Sequence, residues 1–330
     1  MLLLKKKQMP EYTIYNFLGL KLKIKNNKEY SLYKALHQQW RLNGFSDDLT
    51  QELYRMSNSL YNWKNLNPHI WIIYLSCLIN NNSPKALDIL KKYNYFYDKQ
   101  FLHNCLPVAH FAHMNNITNK KIKIASHIYS ELGKNRNNNE LKKILEGKTI
   151  AIVGNGPSEM GKRKGTEIDN HDIVIRFNNY ELKGFEQDYG SKTDIWCCNL
   201  NNDIKNRQEN FKMVLLPEEI SHKFISKLEI FSEAMKKGSV IYNYGFKELE
   251  GLTEIFYEQP TFGLRLIYGL SKLFSNFKNI DFYGFNFCKD NYDTYTTHYF
   301  KSRNEDFEKL HNLLAETEYL TALISDMKNK

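Results

Sequence analysis

Ala151-Ile152-Val153-Gly154-Asn155-Gly156-Pro157-Ser158 decides the reading of this chain. A short apolar run rich in β-branched residues breaks into Gly-Asn-Gly-Pro-Ser, the pattern of a buried strand that ends in a tight turn where backbone approaches a ligand closely. A second run, Ile173-Val174-Ile175-Arg176-Phe177, ends in Asn178. Ligands of open parallel sheets collect outside the carboxyl ends of strands, so Asn155 and Asn178 are expected to face one crevice from neighbouring strands. An amide both donates and accepts, which suits a pyrimidine or a ribose.

Working outward, the pattern after Lys148 alternates strands with helices. Strands are expected at 149–153, 172–177, 193–198, 211–216, 239–242 and 280–284, and helices near 219–237, 262–275 and 304–325. Such alternation specifies an α/β fold, a Rossmann-like, mainly parallel sheet with helices on both faces. Upstream, Leu49, Leu53, Met56 and Leu60, then Trp71, Tyr74, Leu75 and Leu78, then Ala86, Ile89, Leu90 and Tyr93 recur at helical spacing, so residues 46 to about 145 are expected to be helical. Residues 11–25 alternate apolar with basic and are expected to form a hairpin or a surface-seeking arm. Asn135-Arg136-Asn137-Asn138-Asn139 is the expected linker. Two domains result: a basic arm and helical region over 1–145, and a nucleotide-binding catalytic domain over 146–330.

At 330 residues and 42% hydrophobic, the chain can bury a substantial core. A net charge of +9 favours acidic partners: an anionic lipid surface, a phosphorylated small molecule or nucleic acid. The scattering of Lys and Arg and the lack of an RNA-recognition signature exclude a nucleic-acid partner. Ile70–Ile79 is well short of the roughly 20 apolar residues that span a bilayer. Met1-Leu2-Leu3-Leu4-Lys5-Lys6-Lys7 places its charges after the apolar stretch, the reverse of a secretory signal. Five cysteines without Cys-x-x-Cys spacing point to a reducing compartment, hence a cytoplasmic location. His103, His110 and His113 have no carboxylate or thiolate at ligand spacing and are expected to be structural, so no metal site is expected.

Four spaced elements carry the chemistry. The first is the opening segment with Asp172–Asn178 and the run Gly184-Phe185-Glu186-Gln187-Asp188-Tyr189-Gly190-Ser191-Lys192-Thr193-Asp194. The second is Gln259-Pro260-Thr261-Phe262-Gly263-Leu264-Arg265, leading to Ile280–Phe285. His298-Tyr299-Phe300 is the third, and His311-Asn312-Leu313-Leu314-Ala315-Glu316 the fourth. In this order they resemble the large, small, third and very-small sialylmotifs of glycosyltransferase family 29, the sialyltransferases, over about residues 148–320. The resemblance implies a GT-A-like catalytic domain, a CMP-activated acidic sugar as donor, and inverting transfer to a hydroxyl of a glycan or glycolipid without metal or other cofactor.

Carried over by motif, Asn155 and Asn178 correspond to the nucleotide-contacting asparagines, with Gly154, Gly156 and Ser158 around them. Thr261 and Gly263 fall in the turn that opens a helix, where backbone N–H groups favour an anion. His298 corresponds to the histidine that steadies the departing phosphate, accompanied by Tyr299, and His311 to the catalytic base. A base of near-neutral pKa beside the acceptor hydroxyl suits histidine, and a cation at the phosphate lowers the barrier as charge develops there. Glu316 lies five residues beyond His311, more than a full helical turn, and is expected to support the structure.

The departures are informative. Ile150 and Phe277 stand where the family has cysteines, so the disulfide of secretory members is lost, as suits a cytoplasmic, bacterial relative that is peripheral at the inner membrane through residues 1–25 and adds its sugar to a lipooligosaccharide or capsule precursor. Phe262 replaces a threonine near the donor's carboxylate, which leaves sialic acid, Kdo and other nonulosonic acids open. Two rivals stay in view: an NADP-dependent oxidoreductase using Gly154-Asn155-Gly156 and Arg176, and a non-catalytic helical interaction protein. Against the first, Glu159 occupies the place of the third fingerprint glycine.

Overall fold

The computed structural model describes residues 5–8, 12–17, 20–25, 33–40, 44–59, 67–200, 203–256, 260–285, 298–300 and 313–330. The chain divides into two compact units, Met1–Ser130 with Ile220–Ile225, and Glu131–Glu219 with Ser226–Lys330.

In the first unit, β1 (Lys5–Gln8), β2 (Tyr12–Phe17) and β3 (Leu20–Lys25) form a three-stranded antiparallel sheet. The hairpin expected over 11–25 is present as β2–β3, and β1 extends it. Helices follow: α1 over 33–40, α2 (Asp47–Ser59), α3 (Pro68–Asn80), α4 (Ala86–Tyr97), α5 (Leu106–Met114) and the start of α6 (Lys120–Asn137). The Asn67 side chain accepts from His69 N at 2.9 Å and Pro68 opens the first turn, so α3 starts where a capping side chain and a preset φ allow it. Every residue from Pro68 to Leu78 is buried, which makes α3 the central helix of its unit. Among the described residues no helix is long and apolar enough to cross a membrane. His110 hydrogen-bonds Ser126 Oγ through Nδ1 at 3.1 Å and lies 5.2 Å from the Tyr129 ring, a structural histidine as read.

Two expectations are corrected. The linker at Asn135–Asn139 is largely helix: residues 135–137 are the last turn of α6, with Asn135 Nδ2 donating to Ile241 O at 2.8 Å and Arg136 paired with Glu219 at 3.3 Å. A helix end held by polar side chains has no apolar period to betray it. The helix expected over 219–237 shrinks to α10 (Leu228–Lys236), because Ile220–Ile225 joins the first unit, where Ile225 N donates to Asn104 O at 2.7 Å.

The second unit holds the α/β fold that the alternating pattern specified. After α7 (Glu140–Leu145) come β4 (Ile150–Val153), α8 (Gly165–Asp169), β5 (Ile173–Phe177), α9 (Glu186–Tyr189), β6 (Ile195–Cys197) and β7 (Met213–Leu216). Beyond α10 lie β8 (Val240–Asn243), α11 (Phe246–Leu249), α12 (Leu252–Ile255), α13 (Phe262–Leu273), β9 (Ile280–Tyr283) and α14 (Leu313–Asn329). The strands pair parallel in the order β8-β7-β6-β5-β4-β9.

Burial on both faces explains the near-continuous apolar strands. Ile150, Ile152, Ile173, Ile175 and Phe177 pack with Leu264, Ile267 and Leu270 of α13 and with Leu320 and Met327 of α14. On the other face Ala151, Val153 and Val174 meet Ile168, Tyr189, Tyr283 and Tyr299. Ile150 and Phe277, where the sequence resemblance expects cysteines, are both buried in the first of these clusters. Successive strands run outward from β4 to β8, whereas β9 returns to the far side of β4. The topological switch point, where ligands of such sheets collect, is therefore between β4 and β9.

Candidate functional site

At the switch point two glycines meet. Val153 pairs with Tyr283, Gly154 N donates to Tyr283 O at 2.7 Å, and Gly156 N donates to Gly284 O at 2.8 Å. A Cβ added at Gly154 would stand 2.5 Å from Gly284 O, and one at Gly284, whose φ is +67°, would stand 2.3 Å from Gly154 O. The crowding that requires glycine at 154 is the backbone after β9. Gly156 O accepts from Tyr189 Oη at 2.7 Å. Ser158 Oγ donates to Glu159 Oε1 at 2.8 Å, and the same oxygen accepts from Gly284 N at 3.3 Å. Glu159 thus laces the β4 turn to the β9 turn, which accounts for a carboxylate where a dinucleotide fingerprint has glycine.

Asn155 and Asn178 leave the carboxyl ends of adjacent parallel strands, as the sequence indicated. Asn155 Nδ2 donates to Phe177 O at 3.1 Å, bridging the two strand ends, while its Oδ1 is buried with no hydrogen-bond partner among the described residues. A buried acceptor left unpaired costs about 1–3 kcal/mol, and that cost disappears when a ligand supplies an N–H or O–H. Asn178 does more structural work. Its backbone is left-handed at φ +49°, its Oδ1 accepts from Asn199 N at 3.0 Å, and its carbonyl accepts from Trp196 Nε1 at 2.9 Å.

The start of α13 is brought beside these ends by Phe285, a residue whose role the sequence reading missed. Its ring would be 3.3 Å from a Cβ at Gly154 and 3.0 Å from one at Gly263, and it meets Phe177 edge-on at 6.2 Å. One aromatic ring therefore spans β4, β5, β9 and the helix start. Thr261 caps α13, its Oγ1 accepting from Leu264 N at 3.3 Å. Thr261 N donates to both carboxylate oxygens of buried Glu316, at 3.0 and 3.1 Å. Glu316 so acts as a supporting residue, one negative charge at the positive end of α13. The N–H groups of Phe262 and Gly263 follow it in the first turn. Arg265, one turn in, forms a buried ion pair with Glu218 at 3.0 Å.

The segment 298–300 is tied to the same place. Tyr299 N donates to Asn155 O at 3.0 Å, which sets His298 next to the β4 turn. Tyr299 itself is buried: its ring stacks on Tyr189 at 3.9 Å, and its hydroxyl donates to Glu181 O at 2.5 Å. Burial raises the Tyr299 pKa, partly offset by the nearby Arg176 guanidinium. Arg176 is 1% exposed, with Nε and Nη2 donating to Lys192 O and Tyr189 O at 3.0 and 2.6 Å. It holds the chain under Tyr299 and does not present its charge to a cofactor phosphate. His311 lies outside the described residues.

The run Gly184–Asp194 proves to be scaffold. Asp188 accepts from Gly161 N and Arg163 N at 2.8 and 2.9 Å, which lowers its pKa. Asp169 accepts from Ser191 N at 2.8 Å and from Lys192 N at 2.9 Å, and a Cβ at Gly190 would strike Asp169 Oδ1 at 2.3 Å. The structure therefore gathers Gly154, Asn155, Asn178, Thr261, Gly263, His298 and Glu316 at one end of the sheet. It turns Ser158 and the Tyr299 hydroxyl to internal bonds.

Residues 92–255 match the family model of Glycosyltransferase family 29 (sialyltransferase). Over 51 residues the chain is 47% identical to alpha-N-acetylgalactosaminide alpha-2,6-sialyltransferase 2 of Homo sapiens, covering 16% of this chain and 14% of that protein. Over 44 residues it is 54% identical to CMP-N-acetylneuraminate-beta-1,4-galactoside alpha-2,3-sialyltransferase of Mus musculus, covering 13% and 12%. The chain thus matches about a seventh of the length of these curated relatives. A mammalian sialyltransferase solved in complex with Gal-beta-1-3GalNAc-ortho-nitrophenol aligns with a TM-score of 0.40 at 18% identity, over 61% of this chain and 83% of that one.

Proposed function

From the premise that this chain carries a glycosyltransferase family 29 (sialyltransferase) domain over residues 92–255, we propose that it is an inverting, CMP-sugar-dependent glycosyltransferase. Its donor is CMP-sialic acid, with Kdo or another nonulosonic acid as the alternative. Its acceptor is a hydroxyl of a surface glycan precursor, a lipooligosaccharide or capsule, and it works in a bacterial cytoplasm at the inner membrane. The observation that carries the reading is Asn155 Oδ1, buried and unpaired among the described residues at the switch point, next to Asn178 on the neighbouring strand end.

In this mechanism Asn155 and Asn178 hold the cytidine, and the first turn of α13 faces the single phosphate. His311 takes the proton of the acceptor hydroxyl as its oxygen bonds to the anomeric carbon, the bond from that carbon to the CMP phosphate oxygen breaks, and configuration inverts. His298 offsets the charge gathering on the leaving phosphate. A leaving group with one phosphate gives a divalent ion little to chelate, so no step calls on a metal.

The test is a thermal-shift series with CMP, UDP, ADP and NADPH in excess EDTA, followed by a donor screen with CMP-sugars. CMP at about a hundred times its dissociation constant adds roughly 2.7 kcal/mol and raises Tm, the others much less. His311→Ala should lose about 10²–10⁴ in transfer rate while still binding CMP. A shift with NADPH and none with CMP would replace this reading by the oxidoreductase one, and a response to none of them would favour the interaction protein.

A further inference from the structure

Within the second unit, the sheet face opposite α13 and α14 carries a cavity of about 280 Å³ beside α10. Trp196 pairs with Val214 in the register of β6 and β7 and shares its face, whereas Ile195, Cys197, Met213 and Leu215 turn to the face that packs on α13. Phe211, just before β7, leans on Trp196 with ring centroids 5.5 Å apart and planes at 34°. With Val214, Ile230 and Ala234, these two rings make the apolar lining. Ser239, just before β8, lines the same cavity and is 6% exposed, and its Oγ is buried with no hydrogen-bond partner among the described residues. A buried hydroxyl in that state carries a desolvation cost that a ligand removes by supplying a partner.

The charged groups of the lining do not select an anion. Glu209, Glu229 and Glu233 stand against Arg207 and Lys237. Arg207 is engaged within the protein: Nε and Nη2 donate to Glu209 Oε1 at 3.0 and 2.7 Å, Nη1 donates to Tyr180 O at 2.9 Å, and the guanidinium lies 3.6 Å over the Tyr180 ring. Lys237 Nζ donates to Gln208 O at 2.9 Å. A phosphate or a carboxylate therefore finds no open fork here. The cavity also lies just below the roughly 300–1,000 Å³ of most small-molecule sites, which suits one ring and not a nucleotide. Trp196 and Phe211 pack on each other, so they leave no slot between them for a flat base. What fits is compact and uncharged, with hydroxyls for Ser239, the α10 carboxylates, Asn206 and Gln208, and an apolar face for the two rings.

We infer that this cavity binds one neutral pyranose, a hexose or an N-acetylhexosamine, with its C–H face on Trp196 and Phe211 and a hydroxyl on Ser239 Oγ. The site is separate from the donor crevice and does not rest on the function proposed above, so either can fail without the other. The experiment is saturation-transfer NMR on the full chain with glucose, galactose, N-acetylglucosamine and N-acetylgalactosamine, set against N-acetylneuraminic acid and CMP. At least one neutral sugar should bind with a dissociation constant below about 10 mM, undisturbed by CMP. Ser239→Ala should weaken it at least about five-fold while leaving Tm unchanged or raised, because the lost hydroxyl has no partner to forfeit. Should that variant not fold, Glu229→Ala with Glu233→Ala, both at exposed positions, gives the same weakening. Binding of no neutral sugar, displacement of the sugar by CMP, tighter binding of N-acetylneuraminic acid that the Ser239 variant abolishes, or sugar binding unchanged in the variants would each overturn the inference.

Discussion

Replacing Asn155 and Asn178 by alanine should have opposite signatures, although both stand at strand ends and both are proposed to hold the nucleotide. Asn155→Ala forfeits the Nδ2 bond to Phe177 O, worth about 0.5–1.5 kcal/mol, but also removes a buried, unpaired Oδ1 whose presence costs about 1–3 kcal/mol. The two oppose each other, so the unliganded protein should change by between a loss of about 0.5 and a gain of about 2.5 kcal/mol. Asn178→Ala places a Cβ-bearing residue without a helpful side chain at φ +49°, at about 1–2 kcal/mol, and loses the bond to Asn199 N besides. The sum, about 2–3 kcal/mol, lowers Tm by roughly 5–10 °C in a unit of this size. Asn178→Gly should recover part of it, since glycine carries no left-handed penalty. In calorimetric titration with CMP, Asn155→Ala should weaken binding by about 1–3 kcal/mol, between about five-fold and 150-fold, the Oδ1 bond now having no acceptor. If Asn155→Ala melts as far below wild type as Asn178→Ala and binds CMP unchanged, the unpaired oxygen is not a ligand contact and the reasoning fails.

Two further outcomes follow from packing and burial. Gly284→Ala combines left-handed strain with a Cβ 2.3 Å from Gly154 O, so about 2–5 kcal/mol should be lost, and CMP binding with it, as read by denaturant melts and titration; a stable, binding variant would show that the two turns are not in contact. Burial, and then His37, hold the His69 pKa down at about 4. Its folded pKa lies below the unfolded value, so stability is complete above about pH 6.5 and is lost as pH falls towards 4, by up to about 3 kcal/mol. His69→Phe, which keeps the ring contact with Phe101, should flatten that part of the Tm-versus-pH curve, and an unchanged slope would assign the acid sensitivity elsewhere.

The parallel sheet and the placing of Asn155 and Asn178 at adjacent strand ends were legible from the sequence alone, because both rest on local information. An apolar run four or five residues long followed by turn chemistry marks a buried strand and its carboxyl end wherever it packs. The four ordered motifs pointed, for the same reason, to the family whose model matches residues 92–255, being read residue by residue along the chain. What neighbours each motif residue was not legible. Gly154 is glycine because Gly284 touches it, Glu159 is a carboxylate because Gly284 N and Ser158 need an acceptor, and Phe285 gathers four elements around one ring. Arg176 reads as a phosphate binder in sequence and is a buried brace in space. The linker signal at Asn135–Asn139 failed because polar anchors, not an apolar stripe, hold the end of α6. Periodicity records which side of an element is buried. Which distant backbone or side chain does the burying is decided only when the sheet closes, because those contacts join residues far apart in the chain.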